Sequence, residues 1–427
     1  MKKVIIVGPI FSRSGYGEHT RCVFRSLARF PEKYDLYVRP TAWGKTSWTY
    51  NANEKDQDVM EHCVQKQQFF NGEYDVSMQV LIPNEWQNLA KVNIGVTAGI
   101  ETNKASAQWI QFCNAMDKVI VISKHSKDSF MNPTYDILDG NKEVHGKLKC
   151  TALMDIIGYP VKEELLESDT KLDMDIETDF NFLTIAQAGP RKALHETIIW
   201  FAEEFRNDEN VGLVIKANQM NNSYIDRKFM SQSIEQMLKP IKNRKCKIYL
   251  LHGNLNEDEV HSLYRHEDIN AYITTTRGEG FGLPIFEAAY SGMPVVAPAW
   301  SGHMDFLYMP VENEKSKRVK STPMFLKTKY KLQPVNEDSV WENVIDADSQ
   351  WAFTDEKSFK KNLRSMKDIF KVHKKKALRL QEYLRTEFTH EKIANRFQES
   401  INSVAPDDMI EIENWLDEIN KNLEVYD

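Results

Sequence analysis

The stretch Thr276-Arg277-Gly278-Glu279-Gly280-Phe281-Gly282-Leu283-Pro284-Ile285-Phe286-Glu287-Ala288-Ala289 constrains the fold more than any other part of the chain. Before it, Ile269 to Thr275 reads as a short buried strand; after it, Met293 to Ala297 reads as another. Pro284 suits the first position of a helix and Gly292 the position just past its end. The order is therefore strand, glycine-rich loop, short helix, strand. Gly278, Gly280 and Gly282 would let backbone approach a ligand closely, and the N–H groups at the helix start favour an anion such as a phosphate. Glu279 and Glu287 bracket the loop. Carboxylates are poor partners for phosphate and good acceptors for sugar and ribose hydroxyls. The pattern asks for a ligand that carries both phosphate and many hydroxyls.

Glu279-x7-Glu287 enclosing Gly-Phe-Gly-Leu-Pro, then Glu287-Ala288 and Gly292-x-Pro294-Val295-Val296, resembles the donor-site signature of family-4 glycosyltransferases. The resemblance implies an α/β chain of GT-B architecture, with two Rossmann-like domains facing across a cleft and a C-terminal helix crossing back to the first domain. It also implies retaining, metal-independent sugar transfer, with a nucleotide-diphosphate-sugar of UDP or GDP type as co-substrate and no cofactor. The general alternative is a phosphate-binding loop of any Rossmann-type sheet.

A chain of 427 residues is too long for one ordinary core, so two domains are expected. Its 41% hydrophobic and 27% charged residues are those of a soluble globular protein. No apolar run is long enough to span a bilayer. The run after Met1 breaks at Gly8-Pro9 and reads as a first strand rather than a signal peptide. The cysteines Cys22, Cys63, Cys113, Cys150 and Cys246 are scattered, which favours a cytoplasmic location and argues against a zinc site. The net charge of -7 arises wholly within residues 407–427, so the body of the chain is balanced.

Residues 1–165 are expected to form an acceptor-side Rossmann-like domain. Residues 3–7 read as a strand, followed by a long loop and a helix from Glu18 to Phe30. The dinucleotide fingerprint is absent, because Thr20 stands where its third glycine belongs. By the resemblance, Gly15 and Gly17 face the donor phosphate or the acceptor across the cleft; a tight turn explains them equally well. The aromatics Trp43, Trp48, Tyr50, Phe69, Phe70, Tyr74 and Trp86 fall where the family builds its acceptor side, and ordinary core is the alternative. Strands are expected at 93–97 and 118–123, with a helix between them showing Trp109, Phe112 and Met116 on one face. Glu101 stands at the carboxyl end of a strand, where open parallel sheets bind ligands. Many family members place a donor-contacting histidine near here; this chain offers Glu101 instead, a candidate catalytic residue. His125 is expected in a loop or helix start.

Residues 155–179 read as linker, with Asp173 and Asp175 solvated rather than metal-binding. Residues 166–380 are expected to form the donor domain, with strands at 181–186, 211–216 and 249–253 and a helix from Ala193 to Phe205. The family grips the donor diphosphate with a strand-end arginine and a lysine at the next helix start. Arg191 and Lys192 match the second element, but Ala186-Gln187 replaces the first. Ser301 to Phe306 resembles the loop that closes under the sugar, with His303 as a donor contact or a turn residue and Asp305 near an acidic position. Lysine and arginine cluster at 239–247 and 314–331. Phe359, Leu363, Met366 and Phe370 mark an amphipathic helix. Residues 381–403 suit the helix that crosses back. Residues 404–427 read as an acidic amphipathic helix with Ile412, Trp415, Leu416, Ile419 and Leu423 in a stripe, docked on its own body or serving a homodimer.

By the resemblance, Arg191 and Lys192 neutralise the leaving diphosphate with the N–H groups of Phe281, Gly282 and Leu283, Glu287 holds the ribose, and Glu279 holds the transferred sugar. The acceptor is a glycan, a lipid-linked sugar or, given the basic segments, DNA with a hydroxylated base. A nucleotide-sugar epimerase and a non-catalytic sugar-nucleotide-binding protein remain alternatives.

Overall fold

The computed structural model describes residues 1–44, 46, 48, 57–66, 72–312, 317–407, 412 and 419. Tyr50, Phe69, Phe70, Trp415, Leu416 and Leu423 lie outside them. The first half is built from strands β1 (Lys2–Gly8), β2 (Tyr34–Pro40), β3 (Tyr74–Val80), β4 (Ala90–Thr97) and β5 (Lys118–Val121), the hairpin β6 (Tyr135–Leu138) and β7 (Val144–Leu148), and β8 (Met154–Ile156). Its helices are α1 (Gly15–Leu27), α2 (Gln57–Gln65), α3 (Ala107–Asn114), α4 (Lys124–Met131) and α5 (Glu163–Leu166). The sheet order is β2-β1-β3-β4-β5-β8, with every pair parallel. Strands buried on both faces read as continuous apolar runs, and Val4, Ile5 and Ile6 in β1 are fully buried.

The second half repeats the plan with β9 (Phe180–Gln187), β10 (Val211–Asn218), β11 (Lys247–Leu251), β12 (Ala271–Ile273), β13 (Val295–Pro298), the antiparallel pair β14 (Tyr308–Glu312) and β15 (Val319–Pro323), β16 (Leu326–Thr328), and the antiparallel pair β17 (Tyr330–Pro334) and β18 (Gln350–Thr354). Helices α6 (Leu194–Glu204), α7 (Tyr224–Leu238), α8 (Glu257–Arg265), α9 (Leu283–Tyr290) and α10 (Glu356–Asp368) cover its sheet, and α11 (Phe370–Glu387) and α12 (His390–Asn402) end the described fold. The parallel order β11-β10-β9-β12-β13-β16 is doubly wound. Its topological switch lies between β9 and β12, so a crevice opens at their carboxyl ends.

Several boundaries move. α1 starts at Gly15 rather than Glu18, because the Ser14 hydroxyl accepts the Gly17 N–H and caps the helix there. α9 starts at Leu283, so Pro284 is its second residue. In α3 the buried face is Trp109, Ile110 and Cys113, and Met116 lies beyond the helix. The expected linker begins inside β8, the edge strand of the first sheet. The basic segment contains strands β15 (Val319–Pro323) and β16 (Leu326–Thr328), with β16 the sixth strand of the second sheet. Asp173 and Asp175 are exposed and outside regular structure.

The crossing back is divided. α11 lies on α9 of the second half and α12 on α1 of the first. The break falls at Phe388, and Thr389 caps α12 by accepting the Lys392 N–H. Val161, on the chain's first crossing, donates its N–H to Phe388 O at 2.7 Å. Between the sheets, Phe281 packs against Tyr159, Phe286 and Phe306, and Phe286 against Phe388. Each buried ring contributes roughly 1.5–3 kcal/mol.

Candidate active site

Two loops emerge at the switch point of the second sheet. After β9 the chain makes a tight turn over Pro190–Lys192 and enters α6 through Ala193, whose φ of +48° lies in the left-handed region. That conformation is costly for alanine. It is held because Ala193 O accepts the Thr275 hydroxyl at 2.8 Å, and Thr275 in turn pairs with Thr197 at 2.7 Å. The Arg277 N–H donates to Arg191 O at 2.8 Å, tying the turn to the glycine-rich loop after β12.

This tie brings the expected residues together. Lys192 Nζ lies 2.6 and 2.8 Å from the two oxygens of Glu279. Arg191 donates to Gly278 O at 2.7 Å and to Glu279 at 3.3 Å, and reaches Glu101 across the cleft at 3.3 Å. The Thr276 hydroxyl completes the shell of Glu279 at 2.7 Å. Glu279 is 7% exposed. Burial pushes its carboxyl up, but Lys192 and Arg191 outweigh burial and hold it at about 2. The cluster thus holds two cations and two carboxylates, Glu101 from the first sheet and Glu279 from the second, beside the start of α9. Gly282 is the N-cap of α9 at φ +95°, and the helix bonding begins with the N–H groups of Ile285 and Phe286, both to Gly282 O. The earlier N–H groups, those of Phe281, Gly282 and Leu283, stand at a helix start suited to an anion.

Glu287 sits one turn further along α9. Tyr264 donates its hydroxyl to it at 2.9 Å, and it lines a cavity of about 260 Å³ together with Glu18, Lys162, Glu257, Leu283 and Tyr290. Burial raises its carboxyl to about 7, against the pull of Lys162 and Tyr264. Lys162 is paired with Glu18 at 2.6 Å and Glu257 at 3.1 Å. Sequence reasoning missed Glu18, Tyr264 and Lys162. Glu18 and Tyr264 sit on ordinary helices, and Lys162 follows an unremarkable linker proline; only the chain path carries it into the cleft.

Two readings need correction. A Cβ on Gly278 would lie 2.0 Å from Glu101 O, and one on Gly280 2.5 Å from Ala98 O. These glycines therefore admit the backbone of the first domain, not a ligand. His303 was expected as a donor contact or a turn residue. Its ring is committed to its own loop: Nε2–H donates to Pro298 O at 2.7 Å, and Nδ1 lies 3.4 Å from the Ser301 hydroxyl, which also accepts the Glu279 N–H at 3.0 Å. Burial depresses its pKa below the usual imidazole value. The ring thus packs within its turn, and Ser301 links it to the Glu279 N–H.

Gly15 is the first residue of α1, and Gly17 packs so closely on the preceding loop that a Cβ would lie 2.0 Å from Ser12 O. The close approach at Gly17 is thus internal. Trp43 stacks on Tyr16 at 4.1 Å, and Trp86 is core, donating to Gln79 O. His125 lies in the first turn of α4, and its ring also meets Trp300 of the second domain at 4.7 Å.

Residues 175–309 match the family model described as glycosyl transferases group 1. No curated protein sequence matches the chain. Among solved structures, HepE of Anabaena in complex with UDP and glucose is 12% identical, with 94% of this chain and 100% of that chain covered at a TM-score of 0.57. Sucrose-phosphate synthase of Thermosynechococcus elongatus is 12% identical, covering 95% and 99% at 0.59. A trehalose-6-phosphate protein of E. coli bound with UDP-2-fluoro glucose is 9% identical, covering 94% and 99% at 0.56. Likeness at such identities is one of fold. The fold is GT-B: two parallel six-stranded sheets whose switch-point loops meet across a cleft.

Proposed function

From a GT-B chain whose residues 175–309 match the group 1 glycosyltransferases, we propose that this protein moves a sugar from a UDP-sugar to a hydroxyl of a glycan or lipid-linked acceptor, with retention at the anomeric carbon. The observation that carries the reading is the cluster of Arg191, Lys192 and Glu279 at the start of α9, with Glu287 in the adjoining cavity. Cations and helix N–H groups suit a diphosphate, and the carboxylates suit hydroxyls. The solved complexes of two fold relatives hold UDP or a UDP-sugar.

Donor binding replaces the internal pairing. Arg191 and Lys192 turn from Glu279 to the diphosphate and stabilise the charge that grows there as the sugar–phosphate bond breaks. Glu279, released, accepts hydroxyls of the sugar, and Glu287 accepts those of the ribose. The acceptor oxygen bonds to the anomeric carbon on the face the phosphate leaves, and its proton passes to a departing phosphate oxygen. Two fixed cations and a helix terminus supply the charge that a metal ion would otherwise supply, so the reaction is metal-independent. Glu101, through Arg191, senses whether the cleft is closed.

The test is a panel of nucleotide sugars, read as released nucleoside diphosphate with and without chelator, with the product anomer assigned by NMR. UDP release that survives chelator and gives a retained anomer supports the proposal. No release from any donor, or an isomerised donor without acceptor, overturns it.

A further inference from the structure

The loop between β17 and β18 leaves the second domain and reaches the first. A hairpin needs only about 2–5 residues to turn, whereas this one returns over 335–349. At its tip Trp341 and Ile345 exchange backbone bonds, the N–H of each meeting the carbonyl of the other at 3.1 and 2.7 Å, and Asn343 between them stands at φ +64°. Asparagine tolerates that left-handed conformation. The tip is therefore a tight knuckle rather than a slack loop.

The knuckle is seated on the first domain. Val344 is 5% exposed and joins Ile100, Ala105 and Trp109 in an apolar cluster otherwise built from that domain, while its neighbours Glu342 and Asn343 are exposed. Ser106 caps α3 by accepting the Trp109 N–H, and its hydroxyl donates to Asn343 O at 2.6 Å. On the returning limb the Asn103 N–H donates to Gln350 O at 3.2 Å, and the Gln350 N–H to Asn103 Oδ1 at 2.7 Å. Lys104 reaches Asp348 at 2.6 Å and Asp346 at 3.8 Å. Asn103, Lys104 and Ser106 all lie within five residues of Glu101, whose carboxylate meets Arg191 at 3.3 Å.

The root of the loop is fixed beside Arg191. Arg277 O accepts the Ala352 N–H at 2.9 Å, and the Arg277 guanidinium lies 4.2 Å from the Phe353 ring centroid and donates to Asn336 at 3.0 Å. The N–H of the same arginine holds Arg191 O. We propose that residues 335–350 are a strap that positions Glu101: rooted next to Arg191 in the second domain and gripping 103–106 in the first, it sets the Glu101 carboxylate against Arg191 and unseats as a unit when the halves part. Asn103, Ser106 and Val344 are thus positioning residues. The apolar seat of Val344 supplies most of the hold, and the exposed pair of Lys104 with Asp348 supplies less, since water and salt screen it. The effect on transfer rests on the function proposed above; the strap itself is measured without donor.

The experiment is amide hydrogen exchange without donor, read at Asn103 and Gln350, whose N–H groups bond across the two domains, and at Ala352, whose N–H bonds within the second. V344D puts a charge in the apolar seat and should speed exchange at Asn103 and Gln350 together, by at least about tenfold, with Ala352 within about twofold. D346N/D348N changes side chains at the rim only; it should speed the same two amides about twofold to fivefold and remove the salt dependence they show in the parent. Circular dichroism checks the fold of both. V344D should also lower kcat at least about tenfold while UDP affinity, set in the second domain, stays within about twofold. Unchanged exchange in folded V344D, or exchange that rises at only one of the two amides, overturns the strap. Faster exchange with undiminished kcat overturns its positioning of Glu101. Should the parent transfer no sugar from any donor, the proposed function fails, and the exchange result alone decides on the strap.

Discussion

The Asp305 carboxylate of the second domain accepts the backbone N–H of Lys124, the first residue of α4 in the first domain, at 2.6 Å. The adjacent Ser123 hydroxyl donates to Gly280 O at 2.6 Å. A helix start on one side of the cleft is thus satisfied by an acid and a loop carbonyl on the other. Replacing Asp305 by Ala should cost the closed arrangement about 1 kcal/mol, the usual worth of a capping acceptor. Small-angle scattering should then show a wider particle, with thermal stability of the donor half unchanged.

The glycine contacts set a sharper constraint. Ala at Gly278 or Gly280 places a methyl inside Glu101 O or Ala98 O, and backbone cannot yield as a flexible side chain would. Each single variant should still bind nucleoside diphosphate, because the new methyl points at the first domain's backbone and leaves Arg191, Lys192 and Glu287 in place. Turnover should fall by about 100-fold, since the two halves no longer meet. Calorimetry with UDP beside a kcat measurement separates the two effects.

Glu287 should trade stability for function. Its carboxyl is raised from 4.5 to about 7, so the folded protein binds the proton more tightly than the unfolded chain does. The penalty is absent below pH 4.5, grows as pH rises, and is complete above about 7, where it reaches about 3 kcal/mol. Glu287→Gln should therefore melt higher than the parent at pH 8 and converge with it near pH 4.5. The same variant should lose turnover, because a ribose needs the charged acceptor. Nucleotide affinity of the parent should rise as pH passes 7.

Glu279 has the opposite sign. Its carboxyl is depressed from 4.5 to about 2, so its contribution is full above pH 4.5 and is lost as pH falls towards 2. Glu279→Gln leaves Lys192 and Arg191 facing a neutral amide and should destabilise the protein at pH 7 by about 3 kcal/mol. Lys192→Ala removes a diphosphate partner and should lower turnover by about 100-fold or more. Denaturant unfolding and donor turnover check these two variants.

How much of this was readable in advance depends on range. The loop from Thr276 to Ala289 announces itself because its turn, cap and glycines are local, and the residues it needs lie within one helix of each other. Arg191 and Lys192 were readable as a helix-start pair. Their contact with Glu279 was not, since it depends on which strands become neighbours at the switch point. The purpose of Gly278 and Gly280 was misread for the same reason: a sequence shows that space is needed, not what fills it. His303 was offered as a donor contact or a turn residue because its loop resembles the one that closes under the sugar, and its two nitrogens face Pro298 O and the Ser301 hydroxyl, partners that sequence does not show. The hairpin of β6 and β7 and the strands within the basic segment escaped because exposed strands carry no clear apolar alternation.

The bond from Val161 to Phe388 bears on how this molecule can move. Both passages of the main chain between the halves run side by side and are stapled to each other, so neither can slide past its companion. Any opening must swing about that one joint, as a door does on a single pivot. The contacts that join the halves away from that joint, Glu101 with Arg191 and Ser106 with Asn343 O, part or re-form together as it swings.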